Sequence, residues 1–405
     1  MEKDRKEPLE IERERARAIE LIQKELLEKM NQEEQLQSLQ TYVQEGDVTL
    51  ILGAGSSAPA GIPGWGGLLS QILGHALQYE AYKGKRKSFD AARERQLERE
   101  LILKDLKVSL GNNYLESGQY VKQLISSAEE DVVNDLLKEI IAYVINKAKL
   151  PDVIFDKEIK GTAERDMRTV AEKNTLYAVT YLLKKVRRAI TYDYHSLIQE
   201  CLIKVFQVPE REIVTHAGAW TCTDCTNEIQ IFHVHGFIPR HGQRESRAFP
   251  KESTKLILSE DSYYELEQRE AYSWTNSIQS YYLNRDHCVF VGFSGDDYNF
   301  RRIIRQMGAL DILQDEEQGD GQIRYSDCRP VHYLFFIIDD LIADTFDDLI
   351  RCHENEDLLD EQLRRDTMCL VANILRMKKD YWKRYKVIPV WTTKAHIPKM
   401  LTELV

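Results

Sequence analysis

The sequence predicts an α/β fold built on a doubly wound parallel sheet. Three observations carry that expectation. Short apolar runs of β type recur through the second half of the chain, and helical patterns separate several of them. A further β-type run near residue 50 enters a glycine-rich turn and then helical spacing. The runs are near-continuously apolar, as in parallel strands covered on both faces; a strand with one wet face alternates instead.

Taken in order, the chain first reads as a helix to about residue 45. Ile19, Ile22, Leu26 and Met30 recur at spacings of three and four, which stacks them on one face. Glu alternates with Arg and Lys on the rest. This predicts an N-terminal helical extension over 1–45. Packing on its own domain and contact with another subunit both explain the stripe; a role in assembly is the expectation. At Gly46 the pattern changes. Val48 to Leu52 is a β run, Gly53 to Gly67 a glycine-rich turn, and Leu68, Leu69, Ile72, Leu73 and Leu77 return to helical spacing. Residues 46–78 and 186–405 are expected to form the core. Residues 79–185, charged and low in Gly and Pro, read as a helical insertion, with a stripe from Val132 to Ile145. Its basic cluster Lys83 to Lys87 reads as a solvated loop, with phosphate contact the alternative. Later β runs fall at 188–191, 229–235, 256–258, 288–292, 333–338 and 387–390, with helical patterns at 196–205 and 300–310. Residues 314–322 read as an exposed loop, and no internal repeat is visible.

Composition narrows the class. The chain has 405 residues, 43% hydrophobic and 30% charged, which excludes a disordered, collagen-like or disulfide-stapled chain. No apolar run approaches the ~20 residues that span a bilayer, and the charged N-terminus lacks the apolar stretch of a secretory signal. Seven scattered cysteines fit a reducing cytoplasm, the expected location. A net charge of −11 argues against whole-surface nucleic-acid binding.

The candidate chemistry lies at four places. After a buried strand, Gly53, Ala54, Gly55, Ser56 and Ser57 allow a tight turn in which backbone N–H groups approach a pyrophosphate; a purely structural turn is the alternative. The turn departs from G-x-G-x-x-G, since Ala58 stands at the third glycine, and has no Gly-Lys-Ser/Thr. His235 ends a β run just before Gly236, and an imidazole titrating near about 6.5 suits a general base; a satisfied core histidine is the bland reading. His233, two residues earlier, makes a two-histidine metal site conceivable, but no third ligand stands out. Gly292-Phe293-Ser294-Gly295-Asp296-Asp297 ends another apolar strand, where the crevice outside the strand tips binds ligands in doubly wound sheets; Ser294 or Asp296 would also cap a helix there. Cys222 and Cys225 form one C-x-x-C pair. Structural zinc needs four ligands, for which Cys201, or His216 with His233, would have to complete the set.

Taken together, GAGSSAPAGIPGW (53–65), AITYDYHSLIQE (189–200), FHVHGFIPR (232–240), LILSEDSYYEL (256–266) and VFVGFSGDDYNF (289–300) resemble the sirtuin-like domain family. The resemblance is to the branch found in bacterial antiphage defence proteins, and covers about 44–310 apart from the insertion. It implies a Rossmann-like core that takes NAD+ as substrate and needs no metal. By that resemblance Gly53 to Ser57 hold the pyrophosphate, with Pro63 and Trp65 at the nicotinamide end. Thr191 lies at the ribose strand end, Gly292 and Ser294 on the adenosine side, and Asp296 near a ribose. His235 is the catalytic histidine and Asp193 its catalytic companion. The family usually carries Asn where this chain has Asp193, and often Asp where it has His195. Asp193 accepts hydrogen bonds from ribose hydroxyls but cannot donate as an amide does, and a carboxylate also stabilises an oxocarbenium-like carbon. A working variant and an attenuated site both follow from that change.

The second C-x-x-C pair and the Gly-Ile-Pro-Asp-Phe-Arg continuation of deacylating relatives are absent. The expectation is therefore an NAD+ glycohydrolase that gives nicotinamide and ADP-ribose and depletes cellular NAD in antiphage defence. A protein deacylase and a non-catalytic NAD or ADP-ribose-sensing subunit are the alternatives. The resemblance further implies a homo-oligomer, a HerA-type ATPase partner, a phage-derived or nucleic-acid trigger, and no membrane.

Overall fold

The computed structural model describes residues 8–64, 66–69, 71–72, 116, 118–119, 122, 138, 141–142, 145, 164–218, 227–239, 243–250, 256–258, 261–264, 273–293, 300–308, 329–353 and 361–405. Trp65, Ser294, Asp296, the C-x-x-C pair, the 314–322 loop and most of the insertion, including its basic cluster, lie outside these residues.

The chain forms an α/β, Rossmann-like fold. Its strands are β1 (Val48–Leu52), β2 (Arg188–Thr191), β3 (Ile213–Ala217), β4 (Ile229–His233), β5 (His287–Val291), β6 (His332–Ile337) and β7 (Val387–Thr392). They pair in the order β3-β4-β2-β1-β5-β6-β7, and every pairing is parallel. The chain runs from β1 to β2 on one side, then crosses from β4 to β5 on the other, so β1 sits at the topological switch.

The near-continuous apolar strands are explained by two cores, one on each face. Leu50, Leu52, Val289, Val291, Tyr333 and Phe335 point into one, with α2 (Glu33–Glu45), α4 (Thr175–Val186), α5 (Leu197–Lys204) and α9 (Ile397–Glu403). Ile51, Phe290, Leu334 and Phe336 point into the other. That face carries α1 (Pro8–Lys29), α6 (Trp274–Arg285), α7 (Asp339–His353), α8 (Glu361–Lys383) and the helical residues 300–308. A short helix, α3 (Glu164–Ala171), packs on α4 and α9. Ile141 and Ile145, two members of the stripe read in the insertion, are helical and buried in the first core.

Two expectations about elements change. The single N-terminal helix is two, broken where Asn31 takes a φ of 28°. The stripe Ala18, Ile22 and Leu26 packs on α7 and α8 of the same chain, and Arg15 clamps Asp347 through two bonds of 2.7 and 2.6 Å. Leu256 to Leu258, read as a strand, is buried but joins no ladder; it is tied down by Ile257 N–H on the His235 carbonyl at 3.0 Å. The strand missing from the sequence reading is β3, a short edge strand carrying Thr215 and His216 among its apolar residues.

Among the described residues, each edge strand has one main-chain position engaged by another segment. The side-chain amide of Gln32 pairs with the main chain of Trp391 on β7, donating to its carbonyl at 3.0 Å and accepting from its N–H at 2.7 Å. On β3, Thr215 N–H donates to the Arg247 carbonyl at 2.9 Å and its hydroxyl to the Ala248 carbonyl at 2.7 Å.

Candidate active site

Because the strands are parallel, the segments after β1, β2, β4 and β5 all emerge at one carboxyl edge. Tyr192 N–H donates to the Leu52 carbonyl at 3.0 Å and Val234 N–H to the Thr191 carbonyl at 3.1 Å, which carries the pairing one step past the strands. The sheet thus brings Gly53, Asp193, His235 and Gly292 to the same rim.

The glycines after β1 and β5 serve each other. Gly53 N–H donates to the Val291 carbonyl at 3.0 Å, and Gly55 N–H to the Gly292 carbonyl at 2.9 Å. A methyl group on Gly292 would stand 2.0 Å from the Ser56 nitrogen, and φ there is +66°. Only glycine fits such a contact and such a conformation. Ser56 N–H and Ser57 N–H close on the Gly53 and Ala54 carbonyls at 2.9 and 3.2 Å. Of residues 53–57, Ala54 alone keeps an N–H without an internal acceptor among the described residues. The sequence reading placed these amides on a pyrophosphate; in the structure two of them tie the turn to Val291 and Gly292 and two close within the turn itself. The buried Ser56 hydroxyl has no partner among the described residues, and Pro63 lies in the same connection, half-buried.

Asp193 follows β2 and is 6% exposed. Its Oδ2 accepts from the Ser57 hydroxyl at 2.7 Å. Its N–H donates to the Thr191 hydroxyl at 3.1 Å. Thr191 is therefore wholly buried, its hydroxyl shaping the turn that presents Asp193. The Asp193 carbonyl accepts from Nδ1–H of His233 at 2.8 Å, and Nε2 of that ring accepts from the Gln199 amide at 2.9 Å. Gln199 also donates to Thr215 at 2.9 Å. Burial pushes His233 down to about 3, against a smaller upward pull from its bond to Asp193. It is a neutral structural ring with both nitrogens engaged. His195, on the Asp193 turn, places Nε2 3.5 Å from Asp193 Oδ2.

His235 lies just past β4, before Gly236 with its φ of +106°. The ring is 2% exposed, edge-on to Tyr192 (centroids 4.5 Å apart) and to Tyr263 (5.8 Å). Tyr192 also meets Phe293 at 5.1 Å, and its hydroxyl donates to Gln279 on α6. The segments after β2, β4 and β5 therefore share one aromatic wall.

Sequence reasoning missed this wall and the Gln199–His233 link. Tyr192 stood inside a quoted motif, yet its partners lie 43 and more positions away in sequence; Gln199 carried no signal. Cys201 lies wholly inside the first core, where burial pushes its thiol far up and keeps it protonated, unlike a ligand thiolate. His216 stacks on Phe232 at 4.5 Å. Among the described residues, no three or more His, Cys, Asp or Glu side chains are grouped to hold a metal ion, and no helix is long and apolar enough to cross a membrane.

The chain is thus an α/β protein with a doubly wound parallel sheet, and glycines, a carboxylate and an imidazole follow the strands around its switch point, where such sheets bind ligands. Within it, residues 187–316 match the model of the SIR2-like domain family. That stretch holds β2 to β5 with Asp193, His235 and Gly292, and leaves out the turn after β1. No curated protein matches the chain significantly.

Proposed function

We propose that the protein is an NAD+ glycohydrolase, converting NAD+ and water to nicotinamide, ADP-ribose and a proton. The observation that supports the reading is that a SIR2-like segment brings to one carboxyl edge of the sheet a buried carboxylate, Asp193, held by Ser57, and, just past β4, the ring of His235. NAD+ would lie across the switch point, its pyrophosphate near the Ala54 amide and Ser56 hydroxyl, and its adenosine side toward Gly292 with Ser294 and Asp296. Pro63 and Trp65 would close the nicotinamide end. As the bond from C1′ to nicotinamide breaks, the electron pair leaves with the pyridine ring and positive charge grows on the ribose. Asp193 is suited to stabilise that charge, because a fixed anion in a dry site acts far more strongly than one in water. His235 would take the proton of the attacking water. With its ring 2% exposed and edge-on to Tyr192 and Tyr263, themselves 7% and 4% exposed, access would require this aromatic wall to move.

The wider reading is depletion of NAD in antiphage defence, by a homo-oligomer in the cytoplasm under a partner such as a HerA-type ATPase and a phage-derived or nucleic-acid trigger. A sensing subunit is the competing reading, favoured by the enclosed His235 and by Asp193 in place of Asn. Purified protein, alone and with candidate partners, is incubated with NAD+ while free nicotinamide is measured. Release that His235→Ala abolishes supports hydrolysis. NAD+ or ADP-ribose binding without release under every condition supports sensing. Acyl-peptide-dependent release with O-acyl-ADP-ribose supports deacylation.

A further inference from the structure

Asp193 is fixed at nearly every polar atom. Its carbonyl is held by His233, its N–H by Thr191, and Oδ2 by Ser57, whereas Oδ1 takes no hydrogen bond among the described residues. The carboxylate thus presents one engaged oxygen and one open one. His195 stands beside that carboxylate. It is 2% exposed, and Nδ1 accepts the Leu197 N–H at 3.5 Å at the start of α5. An accepting Nδ1 puts the proton of the neutral ring on Nε2, which stands 3.5 Å from Asp193 Oδ2, within ion-pair reach but not a formed hydrogen bond in this structure. Such contacts are often long before substrate binds and tighten on the way to the transition state.

We propose that His195 is a positioning residue. Its Nε2–H, together with Ser57, holds Asp193 Oδ2, so that Oδ1 is the oxygen presented to the ribose carbon as the glycosidic bond breaks. The inference rests on the NAD+ hydrolysis reading and adds a division of labour between the two carboxylate oxygens. In this assignment His195 acts through Asp193.

Two substitutions separate positioning from local structure. His195→Gln keeps an N–H where Nε2 stands, and His195→Asn keeps an acceptor for the Leu197 N–H but falls short of Asp193. Full-length variants are assayed for nicotinamide release under the conditions in which the wild type is active, with melting temperature measured beside them. The expected result is a kcat about a hundredfold lower for His195→Asn, a KM for NAD+ within about threefold, and most of the kcat restored in His195→Gln. Equal rates in wild type and His195→Asn overturn the inference and leave the hydrolysis reading intact. So does an equal fall in both variants, with melting temperatures unchanged. Absence of nicotinamide release from the wild type under every condition overturns the reading and the inference together.

Discussion

The Ser57 hydroxyl donates to the Asp193 carboxylate at 2.7 Å, joining the turn after β1 to the turn after β2 across 136 positions of sequence. A residue expected on a pyrophosphate is thereby a holder of the acidic side chain. In Ser57→Ala a buried carboxylate loses its nearest donor, a loss that costs about 1–3 kcal/mol. Urea unfolding is expected to show that drop, and nicotinamide release to fall with it. A variant as stable as the wild type would mean that water replaces the hydroxyl.

Gly292 is the tightest contact between the turns after β1 and β5. Gly292→Ala brings a methyl group against the Ser56 nitrogen and imposes a side chain at a φ of +66°. Strain and overpacking together are expected to cost about 3 kcal/mol or more, read as a large fall in melting temperature or loss of soluble protein. Gly64→Ala, with nothing within 4 Å of the added carbon, is the control and should melt close to the wild type.

Acid is expected to weaken the fold through two buried histidines. Burial holds His233 and His332 each down to about 3, whereas both titrate near about 6.5 in the unfolded chain. Each uses a ring nitrogen as acceptor, His233 from Gln199 and His332 from the Cys288 N–H at 3.1 Å, so a proton there breaks a bond. The unfolded state then binds more protons as pH falls. The contribution is complete above about pH 6.5 and is lost on descent toward 3, about 2 kcal/mol per histidine by about pH 5. Chemical unfolding in steps of pH checks this, and His332→Asn should flatten the slope.

The N-terminal helix is held by its apolar stripe more than by its ion pair. Ile22, 1% exposed in the second core, should cost about 2–5 kcal/mol as Ile22→Ala. Arg15→Ala, at a pair whose side chains keep 38% and 35% exposure, should cost about 0.5 kcal/mol. Equal losses would refute this ranking.

What the sequence made legible follows from local chemistry. β1 and its glycine turn, β5 with Gly292, and the helices at 197–204 and 300–308 each carry their signal within a few residues. The break at Asn31 has no Gly or Pro to announce it; the stripe changes cores instead, from Leu26 on one face to Leu39 on the other. β3 escaped because an edge strand tolerates Thr215 and His216, whose partners come from 243–250 and from Phe232. At the candidate site, Asp193 and His235 stood out as residue types in a motif. What holds them did not: Ser57, Gln199 and Tyr192 work through contacts that exist only once β1, β2 and β4 are in register. The glycines stood out for phosphate contact, and the structure adds a second demand on the same backbone, the docking of one turn on the other at Gly292.

The Gln32 amide, lying along Trp391 as a neighbouring strand would, bears on how copies of this chain meet. An open β7 would be a template for a strand from another molecule, and here one side chain blocks it. The segment at Arg247 and Ala248 does the same at the far border. Each border strand thus has one main-chain position already engaged, Trp391 on β7 and Thr215 on β3. A copy of the chain could add a strand at either border only by displacing these contacts.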